Sequence, residues 1–95
     1  MNNDKYTAQL IDDIEKNIIK TINMTQNKKI YNIDEIINAL PNDFAENHIL
    51  QEAFIQYEDL KNKFYQTGSL DSNDLLKLKN QFQIIIDNIR ADASQ

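Results

Sequence analysis

Leu75, Leu78, Phe82, Ile85 and Ile89 follow one another at intervals of three, four, three and four residues. An α-helix turns once in about 3.6 residues, so this spacing gathers all five side chains on one side of a helix. Strand-like spacing would be two, because alternate residues of a strand face the same way. An apolar seam of this kind packs helix on helix. It therefore requires at least one more helix in the same chain or in a second copy.

The remaining segments repeat the pattern. Leu10, Ile11, Ile14, Ile18 and Ile22 predict a first helix over residues 4–27, supported by an Asp12–Lys16 pair at i,i+4 and followed by a polar loop, Thr25 to Lys29. Ile33, Ile36, Ile37 and Leu40 predict a short second helix over 33–40. Asn32 and Glu35 have capping-box spacing at its start, and Pro41 is expected to stop it, because proline disfavours α geometry in the residue before it. A third helix over 43–66, capped by Asn42, carries the stripe Leu50, Ala53, Phe54, Tyr57, Leu60 and Phe64 and an Asp59–Lys63 pair. Gly68 suits the left-handed position that ends many helices. The fourth helix, 72–91, starts with Asp71 as N-cap, Asp74 at the third position and Leu70 facing Leu75 as a hydrophobic staple, and is expected to fray after Arg90.

Residues 1–95 thus read as one domain of the all-α class, a compact up-and-down bundle of three long helices plus one short helix. Isoleucine costs a few tenths of a kcal/mol against alanine in a helix, so these helices depend on packing against one another. A domain of this size buries roughly 60–65% of the surface its unfolded chain exposes, which points to a stability of about 5–8 kcal/mol and little room for a deep substrate pocket.

Formal net charge is −5 and acids and bases are interleaved. That acidic balance argues against nucleic acid, whose binding draws on a basic stripe. Carboxylates in ordered rows would suit a DNA mimic, but lysines interrupt them here. There is no cysteine, so disulfides and thiolate metal sites are excluded. The N-terminal residues are polar, without the apolar stretch of a secretory signal, and the longest aliphatic run is Ile84-Ile85-Ile86. The expectation is a cytoplasmic protein with no membrane insertion. Abundant Asn, Ile and Lys with no Val point to AT-rich DNA, as in many bacteria and phages.

Residues that could carry chemistry read better in other roles. His48 is the single histidine, followed by Ile49, Leu50, Gln51 and Glu52. The His-x-Leu-Lys-Gly pattern of histidine phosphotransfer domains matches only at His48 and Leu50. A di-metal site in a bundle needs Glu-x-x-His, and Ala45 stands where that glutamate would be. Asp71-Ser72-Asn73-Asp74 opens like a calcium loop, but Leu75 and Leu76 occupy positions that need an oxygen ligand and a glycine. The Asp12-Asp13-Glu15, Asp34-Glu35 and Glu58-Asp59 clusters resemble a solvated face. One glycine cannot build a phosphate loop. The chain is accordingly read as a non-enzyme with no cofactor and no metal.

Several bulky apolar residues fall off their helical stripes. On a wheel of about 100° per residue, Ile19 lies at the edge of the first arc. Phe44, His48 and Ile55 lie opposite the third stripe, and Ile84 points away from the fourth. Phe44, His48, Ile55, Ile84 and Ile19 are the candidate partner-binding residues, on the argument that exposed apolar patches mark interaction sites. The expected function is a non-catalytic protein-binding module that presents a helical face to one protein partner. An immunity or antitoxin protein, a phage-encoded inhibitor or a small regulatory adaptor would each fit. The alternative is a structural or assembly protein that self-associates into a homo-oligomer, and a histidine phosphotransfer module or DNA mimic ranks below both.

Overall fold

The computed structural model describes residues 2–94, with side-chain surroundings from residue 4 onward. It contains α1 (Asn2–Gln26), α2 (Ile33–Asp43), α3 (His48–Thr67) and α4 (Ser72–Ala93), and no strand among the described residues. The fold is an all-α bundle of three long helices and one short one, as the spacing predicts.

Local chemistry explains most of the helix ends. Asn27 takes the left-handed conformation at φ 54°, which asparagine tolerates better than most residues. Lys28 N–H then bonds back to the Asn23 carbonyl at 3.3 Å. The Asn23 side chain grips the loop that follows: its amide donates to the Ile30 carbonyl at 2.9 Å and its Oδ1 accepts from Ile30 N–H at 2.8 Å. The α2 capping box forms as expected, with Asn32 Oδ1 accepting from Glu35 N–H at 3.2 Å and Glu35 Oε2 accepting from Asn32 N–H at 3.1 Å. At the start of α4, Asp71 Oδ1 accepts from Asp74 N–H at 2.8 Å and Leu70 is buried beside it. Gly68 ends α3 at φ +81°, and nothing stands within 4 Å of the place a Cβ would take. Its requirement is conformational rather than steric.

Several boundaries differ from the sequence reading. Pro41 does not stop α2, which continues through it to Asp43, and Phe44 N–H bonds to the Leu40 carbonyl at 3.0 Å. Leu40 and Phe44 are both buried, and their packing outweighs the proline's local cost. Asn42 therefore lies inside α2. The cap of α3 is Asn47, whose Oδ1 accepts from Leu50 N–H at 3.0 Å, so α3 starts five residues later than expected. Gln51 Nε2 secures the intervening turn by donating to the Phe44 carbonyl at 2.7 Å. At the other end, α4 stays helical past Arg90, to Ala93.

α4 packs against both α3 and α1, most extensively against α3, and α2 bridges α1 and α3. The short 68–71 connection reverses the chain, so Lys63 near the end of α3 meets Asp74 in the first turn of α4 at 2.7 Å. The expected Asp59 partnership gives way to this link between helices. One core runs through the bundle: Ile11, Ile14, Ile18 and Ile22 from α1, Leu50, Phe54 and Tyr57 from α3, and Leu78, Ile85 and Ile89 from α4. Ile86, outside the sequence-level seam, is buried as well.

Thr7 is a polar exception within this core. It is 0% exposed and its hydroxyl has no hydrogen-bond partner among the described residues. Burying an unpaired hydroxyl is unfavourable. Thr7→Val keeps the shape and is expected to raise stability by about 1 kcal/mol in urea unfolding. A loss of more than about 0.5 kcal/mol instead would mean that the hydroxyl is satisfied.

Candidate functional site

The bundle measures 43 × 23 × 19 Å. Its two short dimensions are each about two helix diameters, so no interior remains for an enclosed chamber. Surface grooves between helices are what such a shape offers. An apolar one lies between the start of α3 and the later half of α4. It holds about 310 Å³ and is lined by His48, Ile49, Glu52, Ala53, Gln81 and Ile84. Ala53 is buried at its floor, Ile84 is half-buried on the α4 wall, and Ile49 on the α3 wall is 65% exposed. A wider, more polar depression of about 470 Å³ adjoins it, lined by Glu46, Asn47, His48, Ile49 and Asp92.

The candidate residues named from sequence divide accordingly. His48 and Ile84 come together in the cleft. Ile55 is 54% exposed. It lies seven residues beyond His48, so two helical turns put the two on nearly the same line of α3. Ile19 is half-buried against the core, on α1. Phe44 is a correction: it is 5% exposed and belongs to the core. The wheel misplaced it by treating residue 44 as part of α3, whereas it caps α2 and turns inward. Ile49, the most exposed isoleucine, was missed. Its angular position 100° from Leu50 was the available signal.

A second cluster of ionisable groups lies away from this cleft. Glu15 Oε2 on α1 accepts from Tyr57 Oη at 2.6 Å and from Lys61 Nζ at 2.7 Å, both on α3. Glu58 stands 3.7 Å from the same ammonium. Burial, then the hydrogen bond to Glu15, pushes the Tyr57 phenol far above its ordinary range, so it stays a donor. Burial also raises the Glu58 carboxyl. Burial alone would lower the Lys61 ammonium, but the hydrogen bond and charge of Glu15 outweigh it and the net shift is upward. Neither depression is lined by these residues. Their geometry is that of a clasp between α1 and α3.

The calcium-like start of α4 is also structural. Asp71 caps the helix, and Lys63 holds the Asp74 carboxyl below the usual carboxylate range. No group of three or more His, Asp or Glu side chains placed to hold a metal occurs among the described residues. His48 is exposed at the start of α3, but Glu46 and Glu52 line the depressions it shares, and their charge disfavours the approach of a phosphoryl donor.

The chain matches no protein-family model, no curated protein and no solved structure. Its functional reading rests on its own surface. No helix among the described residues is long and apolar enough to cross a membrane.

Proposed function

We propose that this chain is a non-catalytic protein-binding module, and that the α3–α4 face around His48, Ile49 and Ile84 receives one protein partner. The observation that carries the reading is the cleft itself. Isoleucine lines both of its walls, and Ile49 gives most of its surface to solvent. A β-branched apolar side chain that finds no cover in its own core gains free energy by burial against a partner. Ile55 is exposed but does not line the cleft, since it lies about 120° around α3 from Ile49.

Capture from lysate of the source organism tests the proposal. Tagged wild type would run beside Ile49→Glu and Ile55→Glu, each first shown by circular dichroism to be folded. One stoichiometric protein held by wild type and lost by Ile49→Glu is the expected result. Retention by wild type of further copies of itself alone would replace this reading with the self-assembling one. Equal retention by Ile49→Glu and wild type would move the binding surface elsewhere.

A further inference from the structure

The cleft is apolar inside, and its surroundings carry one sign of charge. Glu52 lines the cleft, and Glu46 and Asp92 line the adjoining depression. Among the described residues, no lysine or arginine lines either one. Five of the ten bases are engaged elsewhere: Lys63 with Asp74, Lys61 with Glu15, Lys28 with Asp43, Lys16 with Asp12, and Lys79 over the Tyr6 ring. Lys5 and Lys20 lie on α1 and Lys29 in the loop after it, and none of them lines the cleft or the depression. Arg90 lies nine residues after Gln81, about half a turn around α4 and so on its far side. Lys77 shares the Gln81 side but sits a turn closer to Asp74, towards the opposite end of the α3–α4 pair.

We infer that the partner contributes a cationic amphipathic segment, which places one or two bulky apolar side chains between Ile49 and Ile84 and sets lysine or arginine against Glu46, Glu52 and Asp92. This deepens the reading above and rests on it. Charge complementarity selects the occupant. A second copy docked face to face would set Glu46, Glu52 and Asp92 against their own counterparts, a like-charge arrangement that costs affinity. An acidic or neutral segment would leave the three carboxylates without compensation. A basic one gains both attraction at the rim and faster encounter with a chain of net charge −5.

The test uses the full chain and designed peptides about 18 residues long, long enough for an amphipathic helix. One carries leucines on one face and lysines elsewhere, and the other keeps the leucines and replaces every lysine by glutamine. Affinity is read by fluorescence anisotropy, and the site by amide shift changes in residues 46–53 and 81–92. The lysine peptide is expected to bind at least about tenfold more tightly than the glutamine peptide. Glu46→Lys with Glu52→Lys, both exposed positions, should weaken it by about tenfold or more. Asp12→Lys with Asp13→Lys alters net charge equally on α1 and should change affinity less than about twofold. Equal binding of the two peptides, equal weakening by the two double variants, or no binding of the lysine peptide would overturn the inference. The broader reading is judged apart from it: a captured partner lost by Ile49→Glu but contacting through an acidic or uncharged segment would uphold protein binding and overturn the cationic assignment.

Discussion

Phe54→Ala is expected to remove about 3–5 kcal/mol of folding stability, the upper range for truncating one buried side chain. Phe54 is 1% exposed and sits in the α3 stripe that packs into the core. Its removal takes away the transfer free energy of a ring and leaves a cavity that three rigid helices cannot collapse around. Against a domain stability of about 5–8 kcal/mol, the variant should be only marginally folded, with its thermal midpoint lower by roughly 15–30 °C. Ile55→Ala, one residue along and 54% exposed, should shift stability by about 0.5 kcal/mol or less. Urea unfolding of the two variants side by side checks both values. A loss below about 1.5 kcal/mol for Phe54→Ala would mean that the centre of the bundle is loosely packed.

Glu15→Ala should cost about 2–4 kcal/mol, although it removes a polar side chain. Glu15 accepts both the Tyr57 hydroxyl and the Lys61 ammonium. Tyr57 is 0% exposed and the Lys61 side chain is 13% exposed, so deleting the acceptor leaves a buried hydroxyl unpaired and a largely buried cation with only Glu58 at 3.7 Å. The cost arises from what remains rather than from what is removed. Glu15→Leu combined with Lys61→Met removes both charges and should recover the part of the loss that the stranded cation causes, leaving about 1–3 kcal/mol for the unpaired Tyr57 hydroxyl. Simple additivity of the two single variants would show that the charges do not form one unit. The upward shift of Lys61 fixes the sign of its pH dependence. A lysine with a raised folded pKa contributes fully below its unfolded value near 10.5 and loses that contribution only as pH climbs through the folded one. The clasp's Lys61 contribution is therefore intact at neutral pH and lost in alkali.

Much of the architecture was legible in the order of residues alone. The seams of the first, third and fourth helices become core faces because amphipathic spacing reports which side of a helix water must leave. Asn32 with Glu35 and Asp71 with Asp74 form their caps, since capping needs only residues three apart. Failures cluster where a residue's role depended on contacts distant in sequence. Pro41 and Asn42 carry strong local signals for an end and a start, and both were overruled by the burial of Leu40 and Phe44. Once Phe44 leaves the third helix, its wheel position means nothing, and the candidate surface loses one residue and gains Ile49.

The periodic apolar residues, the caps and the glycine stop are properties of contiguous stretches of chain, and they determined by themselves that this protein is a bundle of three long helices and one short one. Which isoleucines are core and which are surface was decided only by tertiary structure. Ile19, Ile49, Ile55 and Ile84 carry the same side chain, yet they range from half-buried to 65% exposed. The Glu15–Tyr57–Lys61 clasp joins residues more than forty positions apart, and the cleft joins the start of α3 to the later half of α4. Periodicity says which face of a helix seeks cover. The area each neighbour supplies depends on where the packed helices cross, and that follows from the mutual fit of all four.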